Sequence, residues 1–316
     1  MKPYMPQDNY VHTAPTPDDA HFQDSHWCMW FDEHRGVAGM HRFAIHPTTL
    51  TSNYWCAVFG PGGTRYRSSG WDLRWTPTQE PAYRVSASQG IDLSDDQYSL
   101  RVSEPGCEVD VTWTSSRPMF SYLGDDTTTA DMAGNHFEGV GRVAGTVVLG
   151  GQRHDVDAVA FRDRSWGPRL YSAVRAHRWF AGTLGPDLCF SATAVLAVGG
   201  RLVFDGILVD GEQHHRTSDV DIVIHQEADG LTHRGGELVM RFDSRPEFRV
   251  RATVIDGAVF PVAGGAFNNV DTICVAESDG RTGFCNVEAS NNIHADGTDP
   301  VVGLRASIVD GLSIRA

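Results

Sequence analysis

Short alternations of apolar and polar residues, separated by glycine and proline, recur along almost the whole chain. In the first half, Gly39 to His46 and Asn53 to Phe59 alternate in this way, and the turn Gly60-Pro61-Gly62-Gly63 follows. A period of two is typical of a β-strand with one buried face, whereas helical periodicity is hard to find in this half. Turn signals return roughly every 10 to 15 residues, a spacing that favours an antiparallel sandwich or barrel.

The second half repeats the pattern, and its apolar runs are joined by dipeptides that favour tight hairpin turns. Examples are Gly150-Gly151, Gly199-Gly200 and Asp210-Gly211. Such pairs accept the positive φ angles of two-residue hairpin loops, and they are the strongest short-range hairpin signal in a sequence. The whole chain is therefore predicted to be all-β.

A polar run between the halves suggests a division into domains. Residues 124–135 read GDDTTTADMAGN and have almost no apolar side chains, so they cannot bury their backbone. We therefore predict one β domain over 21–130 and a second over 131–316. The polar, proline-bearing residues 1–20 are predicted to form an arm that lies on the surface or is disordered.

The composition is typical of a soluble globular protein and argues against two classes of partner. Of 316 residues, 41% are hydrophobic and 21% are charged. The net charge of -14 would repel nucleic acid and anionic membrane surfaces. No apolar run approaches the roughly 18 residues of a transmembrane helix, and the N-terminus lacks the apolar core of a signal peptide. We therefore expect no transmembrane segment and a cytoplasmic protein.

The six cysteines stand singly, without the C-x-x-C spacing of a zinc or redox site. They are predicted to be isolated buried thiols, and no metal centre is predicted from them.

One stretch departs from the ordinary strand pattern. Ala158 to Arg169 reads AVAFRDRSWGPR, an apolar alternation that ends in Arg162, Asp163 and Arg164. A buried, unpaired charge costs several kcal/mol, so a core strand normally excludes charge. This strand is therefore predicted to finish at a site.

The hairpin around Gly150-Gly151 gives that charged strand end a partner. If these two residues form the loop, Glu138 faces Asp163 across the hairpin, and Gly139 faces Arg162. Residues two apart along a strand share a face. His136, Glu138, Asp163 and Ser165 would then point to one side, at the open end of the hairpin.

Two interpretations of this group stay open from the residues alone. Because neighbouring carboxylates repel, one of them should hold its proton more tightly and serve as an acid near neutral pH. Trp166 and Trp179 could then supply aromatic faces that stabilise a developing cation. Alternatively, Asp163 forms a salt-bridge network with Arg162, Arg164 or Arg169, which would keep it ionised and useless as an acid.

These residues also carry a resemblance to a known superfamily. The run His136-Phe137-Glu138, the glycine-rich stretch 141–151 and the motif RDRSWGPR, which ends at Arg169, resemble one group of proteins. That superfamily includes carotenoid 1,2-hydratase (hydroxyneurosporene synthase), kievitone hydratase, AttH-like bacterial proteins and the fungal lipocalin-like Diels-Alderases. In its bacterial branch the motifs read H-x-E-Q and R-D-H-S-W-G-x-R.

The chain departs from those motifs at two positions. Arg164 stands where the motif has histidine, and Gly139 stands where it has glutamine. The arginine removes a candidate acid or base, because a guanidinium does not transfer protons in the useful pH range. It could instead bind a carboxylate, phenolate or enolate of a substrate.

The resemblance implies two lipocalin-like antiparallel β-barrel or sandwich domains and an interdomain apolar pocket. It further implies a hydro-lyase, a hydratase or dehydratase of secondary metabolism that acts on a hydrophobic terpenoid (isoprenoid), phenolic or polyketide molecule with no cofactor and no metal. The expected acid–base residues are Asp163, Glu138 and His136. The expected substrate-binding residues are Trp166, Arg164, Trp179 and Arg169.

Two other functions agree with the same resemblance. One is a Diels-Alderase-like cyclase or pericyclase, in which the shape of the pocket orients the substrate. The other is a non-catalytic carrier of an apolar ligand. The sequence leaves the substrate and the oligomeric state open, and a homodimer is possible.

Overall fold

The computed structural model describes residues 3–78, 81–95, 97–122, 134–227, 229, 231–262 and 267–292. It divides into two compact units, the first built from residues up to 122 together with 134–169, and the second from residues 170 onward. Each unit is organised around one antiparallel sheet, so the prediction of an all-β protein is confirmed.

The first sheet has eleven strands within the described residues, in the order β4-β3-β2-β1-β11-β10-β8-β7-β6-β5, with β9 paired to β10. Short 3₁₀ helices span Pro6–Asn9 and Pro61–Gly63 in this unit. The strands are β1 (Phe22–Asp32), β2 (Val37–His46), β3 (Thr51–Phe59), β4 (Arg65–Arg74), β5 (Ala82–Arg84), β6 (Gln89–Leu93), β7 (Gln97–Glu104), β8 (Cys107–Ser115), β9 (Phe120–Ser121), β10 (Asn135–Leu149) and β11 (Gln152–Pro168).

The second sheet has nine strands within the described residues, in the order β15-β14-β13-β12-β20-β19-β18-β17-β16. A 3₁₀ helix at Tyr171–Ala173 precedes it. The strands are β12 (Val174–Thr183), β13 (Leu188–Ala197), β14 (Leu202–Asp210), β15 (Gln213–Thr217), β16 (Val220–Gln226), β17 (His233–Met240), β18 (Phe248–Val262), β19 (Phe267–Ser278) and β20 (Arg281–Asn292).

Each sheet buries one face in its own hydrophobic core. In the first unit, Ala158 and Ala160 of β11 join a cluster of buried residues that includes Trp30, Phe43 and Trp113. Because side chains alternate along a strand, the residues of β11 two and four positions further on share this face. We call it the inner face of the first sheet, and we call the side that carries Asp163 the reverse face.

The charged hairpin belongs to the first unit, which corrects the predicted domain boundary near residue 130. Strand β10 pairs with β8, and β11 pairs with β1, so both strands lie in the middle of the first sheet. The second unit begins only after Arg169. The polar run 124–135 precedes the last two strands of a sheet instead of separating two domains, and most of it lies outside the described residues.

The N-terminal arm also differs from its prediction. Asp8 and Asn9, in the 3₁₀ helix Pro6–Asn9, are buried within the first unit. The backbone carbonyl of Asp8 accepts a hydrogen bond from Arg164, and the side chain of Asn9 accepts one from Arg162. Buried guanidinium groups require acceptors, and the polar arm provides them.

The six cysteines are buried and none is disulfide-bonded, as predicted. In the part of the chain that the structure describes, no helix has the length and hydropathy needed to cross a membrane.

Candidate functional site

The register of the β10–β11 hairpin is the one that the sequence predicted. Glu138 lies opposite Asp163, and His136 lies opposite Ser165, without a register shift along the pair. Gly150 and Gly151 form the turn with φ angles of 59° and 83°. Both angles fall in the left-handed region that glycine adopts without steric cost, which is why this dipeptide fixes the loop at two residues.

Three of the predicted site residues meet on the reverse face. His136 Nε2 lies 3.3 Å from Glu138 Oε1 and 3.3 Å from Asp163 Oδ2, so one imidazole bridges two carboxylates. The side chain of Glu138 is 0% exposed, whereas those of His136 and Asp163 are 16% and 15% exposed. Glu138 is therefore the fully buried member of the group. His136 and Asp163 are the members that a small molecule could reach.

The charges of this group place the proton on the imidazole. Burial favours neutral His136, but the charge of Asp163 and hydrogen bonds to Asp163 and Glu138 outweigh it and raise the pKa of His136 to about 9. Burial opposes the charge of Asp163 as well, yet the neighbouring His136 charge lowers the pKa of this carboxyl. The sequence prediction made Asp163 the acid, whereas these pKa shifts favour a protonated His136 beside an ionised Asp163 at neutral pH.

The salt-bridge interpretation of Asp163 is not what the structure shows. Among the described residues, Asp163 forms its ion pair with His136 and with none of Arg162, Arg164 and Arg169. Arg169 does reach this face, because its Nη2 donates a hydrogen bond to Ser165 Oγ at 3.0 Å. Its charge helps to lower the pKa of Asp163.

Arg164 points to the inner face and does not contact the His136 group. Its guanidinium forms an ion pair with Asp24, and both side chains are fully buried. The positive charge of Arg164 outweighs burial and lowers the pKa of Asp24. Further acceptors surround the guanidinium: the carbonyls of Asp8, Tyr10, Ser25 and Ser165, the ring of His12 and the hydroxyl of Tyr83.

The two predicted aromatic residues belong to different units. Trp166 is on the inner face, where its ring stacks on His12 with centroids 3.9 Å apart and on Phe137 with centroids 5.5 Å apart. Trp179 belongs to the second unit, where its Nε1 donates to Ser191 Oγ at 2.9 Å. Within the first unit, Arg169 is the predicted substrate-binding residue that reaches the face of the His136 group, where it contacts Ser165.

The sequence analysis did not identify the neighbours of the His136 group that come from distant segments of the chain. Tyr122 places its ring 4.6 Å from that of His136, and Ser25 Oγ lies 3.0 Å from Ser165 Oγ. Arg42 contributes charge near Asp163. No local pattern could have found them, because β1 pairs with β11 across more than a hundred residues of chain.

The second unit also contains a histidine–glutamate pair, His177 and Glu288, whose surroundings differ from those of His136. His177 Nδ1 lies 3.0 Å from Glu288 Oε1, and its Nε2 lies 2.7 Å from Thr193 Oγ1. Ser290 Oγ donates to Glu288 at 2.6 Å. Both ring nitrogens of His177 are therefore engaged by fixed partners, which is typical of a structural network.

No three His, Cys, Asp or Glu side chains are arranged as metal ligands anywhere in the described ranges.

The fold and the site together define a class, a two-unit all-β protein of lipocalin-like architecture with a histidine between two carboxylates on the first sheet. Within that class, the chain belongs to a domain family of unknown function, DUF7064, which matches residues 5–293. No curated protein matches the chain.

Three solved structures share the fold over nearly their whole length. An AttH-like protein of Nitrosomonas europaea has a TM-score of 0.69 at 14% identity, covering 91% of this chain and 96% of its own. CghA has a TM-score of 0.62 at 9% identity, with 93% and 96% covered. Kievitone hydratase of Nectria haematococca has a TM-score of 0.60 at 10% identity, with 94% and 97% covered.

These likenesses establish the fold, and the prediction of two lipocalin-like domains is confirmed. Two groups named in the motif resemblance, AttH-like proteins and kievitone hydratase, are among the structural relatives. The resemblance to carotenoid 1,2-hydratase stays a prediction from the motif.

Proposed function

We propose that the protein is a hydro-lyase that adds water to, or removes it from, a hydrophobic small molecule, with His136 and Asp163 as its acid–base pair. One observation carries the proposal: a single imidazole lies 3.3 Å from each of two carboxylates on one face of a hairpin. This geometry supplies a proton donor and a proton acceptor side by side, which is what a hydration or dehydration step requires.

The proposed dehydration begins with a hydroxylated substrate against the partly exposed edge of the group. The His136 imidazolium gives its proton to the leaving hydroxyl as the carbon–oxygen bond breaks, and water departs. The Asp163 carboxylate takes the proton from the adjacent carbon as the double bond forms. Transfer of that proton from Asp163 to His136 across 3.3 Å restores the starting state, and hydration is the same sequence reversed.

Glu138 has a different role in this scheme. Its side chain is fully buried, so it does not meet the substrate. A second negative charge beside His136 helps to hold the imidazole protonated. Glu138 is therefore proposed as a positioning residue that keeps the donor charged through the working pH range.

The departures from the superfamily motif do not remove a member of this group. Arg164 lies on the inner face, so an arginine at that position takes no acid from the reverse face. Gly139 is opposite Arg162 and also belongs to the inner face. A Cβ at Gly139 would come within 2.9 Å of Met119 Cγ, so a larger residue there requires a shift of that side chain.

The substrate class is proposed from likeness alone. Kievitone hydratase, a structural relative, is by its name a hydratase, and the motif resemblance extends to terpenoid, phenolic and polyketide chemistry. We therefore propose a hydrophobic terpenoid, phenolic or polyketide substrate.

The proposal is tested by incubating the protein with prenylated phenols, terpenoid alcohols and polyketide enones in ¹⁸O-labelled water. A hydratase inserts one labelled oxygen into its product, detected by mass spectrometry, and a dehydratase removes water. The His136→Gln variant is expected to lose this activity. His154→Gln, a change on the same hairpin near its turn, is the matched control and should retain it.

Two outcomes would contradict the hydro-lyase. An isomeric product without labelled oxygen would indicate a cyclase, in which His136→Gln should have little effect on turnover. A molecule that co-purifies with the protein and is recovered unaltered after denaturation, with no turnover of any member of the panel, would indicate a carrier.

A further inference from the structure

Arg162 is the residue of the charged motif that neither the acid–base group nor the Arg164 network uses. It lies on the inner face of the first sheet, and its side chain is almost completely buried. Its guanidinium carbon lies 4.6 Å from the centroid of the Tyr98 ring and 4.9 Å from that of Trp113. Two aromatic rings therefore fix the position of a buried positive charge.

The hydrogen-bond partners of Arg162 are neutral. Its Nη2 contacts Asn9 Oδ1 and lies 2.9 Å from His26 Nδ1. Burial and the charges of Arg164 and Arg162 hold the pKa of His26 well below its usual range, so the imidazole is neutral. The Nε of Arg162 is buried without a hydrogen-bond partner in the structure.

No ion pair compensates the charge of Arg162 within the described part of the chain. Arg164, two residues further along the same strand and the same face, pairs with the buried carboxylate of Asp24. Arg162 has no such partner among the described residues, where its contacts are the amide, the imidazole and the two rings. Because an uncompensated buried charge is costly, a guanidinium in this state is a site for an anion.

A cavity provides room for that anion. Arg162 is one of the residues that line a space of about 420 Å³ in the first unit, within the usual size range of small-molecule sites. Tyr4, Pro6, Trp113, Pro118 and Met119 supply its apolar wall. The remaining lining residues are Asp95, Ser115, Ser116 and Arg117.

We propose that this cavity is a second ligand site, which binds an apolar monocarboxylate whose carboxylate pairs with Arg162. The planar guanidinium matches the two oxygens of a carboxylate, and the ring or acyl chain of the ligand lies along the apolar wall. A single negative charge fits best, because Arg162 is the buried charge on the wall, and the two other charged lining residues, Arg117 and Asp95, are opposite in sign.

This site is separate from the proposed acid–base group. Arg162 and Asp163 are consecutive residues of β11, so their side chains point to opposite faces of the sheet. Binding in the cavity can therefore be measured without any knowledge of the reaction at His136.

The test is calorimetric titration of the 316-residue protein with 2-naphthoate and with 2-naphthamide, a neutral molecule of nearly the same shape. Naphthoate is expected to bind at least tenfold more tightly than the amide. Arg162→Met should weaken naphthoate binding at least tenfold and change amide binding by less than threefold. His136→Gln should leave the affinity for both ligands within twofold of the wild type.

Equal affinity of the wild type for the two ligands, or no binding of naphthoate at millimolar concentration, would overturn the proposal. Unchanged naphthoate affinity in a folded Arg162→Met protein would overturn it as well. If that variant does not fold, Ser116→Trp, an exposed position on the cavity wall, provides the second test. It should weaken binding of both ligands, and unchanged affinities would place naphthoate elsewhere.

Discussion

The two faces of β11 differ in how their charged side chains are paired and how far they are buried. On the inner face, Arg164 and Asp24 neutralise each other at full burial, and backbone carbonyls occupy the remaining donors of the guanidinium. On the reverse face, Asp163 and Glu138 share the imidazole of His136, and the side chains of His136 and Asp163 remain partly exposed. A charge whose partners are all fixed holds the fold together, whereas a charge shared among titrating groups can move a proton.

One sequence motif therefore contributes residues to two separate groups. Alternate residues of RDRSWG go to opposite faces, so Arg162, Arg164 and Trp166 are separated from Asp163 and Ser165 by the sheet itself. Because the residues of the motif are consecutive in the sequence, the sequence alone suggests a single site. The pleat of the strand places the Arg164 network on one side of the sheet and the His136 group on the other.

The largest expected effect comes from breaking the inner network. Arg164→Met should lower the free energy of unfolding by about 3–5 kcal/mol, because it leaves the Asp24 carboxylate buried without its partner. Denaturation in urea measures the loss, and Asp24→Asn in the same chain should restore part of it.

Arg162→Met is the matched control, since it removes the same guanidinium from the same face without orphaning a carboxylate. Its free energy of unfolding should stay within about 1 kcal/mol of the wild type or exceed it. Equal losses in the two variants would contradict the distinction between a paired and an unpaired arginine.

On the reverse face, Asp163→Asn should reduce turnover by about 10²–10⁴-fold while the protein stays folded. The amide cannot accept the proton that the proposed step delivers. Steady-state kinetics on a substrate from the panel measures the effect. Undiminished turnover would remove Asp163 from the mechanism.

The pH dependence of turnover should reflect a charged His136. The imidazolium is lost as pH rises through its pKa of about 9, so turnover should fall above that pH. The pKa of Asp163 is lowered, so its carboxylate stays ionised through the neutral range, and the loss on the acid side comes only at low pH. A profile that instead falls as pH rises from 6 to 7 would contradict the assignment.

The same shifts predict the pH dependence of stability. A group whose pKa is raised by folding stabilises the protein fully below its unfolded pKa. For His136, this contribution is present below about 6.5 and is lost as pH rises through about 9. Replacing His136 by glutamine should flatten the pH dependence of the free energy of unfolding in this window.

The smallest expected effect concerns the N-terminal arm. His12→Ala removes a ring that stacks on Trp166 at 3.9 Å and should lower the free energy of unfolding by about 1 kcal/mol. Urea denaturation measures it against His154→Ala, which should change stability by less than about 0.5 kcal/mol. A loss as large as that of Arg164→Met would show that the arm, and not the ion pair, organises the inner face.

Local sequence patterns predicted the all-β fold and the grouping of His136, Glu138 and Asp163 on one face. The alternation and the glycine turns are local, so they indicated the strands, and Gly150-Gly151 fixed the register that brings Glu138 to Asp163. Neither the pairing of β1 with β11 nor the burial of the arm has a local signal. The domain boundary near residue 130 was therefore misplaced, and Asp24 was not foreseen as the partner of Arg164.

The protonation state of the His136 group could not be predicted from the sequence. The register places two carboxylates and an imidazole together, but which of them holds the proton depends on distances and burial. A protonated carboxyl was the expectation, whereas two carboxylates 3.3 Å from His136 Nε2 raise the pKa of this imidazole to about 9 and so favour the proton on His136.

The most direct test is the pKa of His136 itself, measured by NMR titration of protein labelled at the imidazole nitrogens. The expected value is about 9, and Asp163→Asn should lower it. The assignment of the other histidine signals by single replacement keeps the measurement specific. A His136 that titrates near its ordinary value of about 6.5, unaffected by Asp163→Asn, would contradict the account of an imidazolium held between two carboxylates.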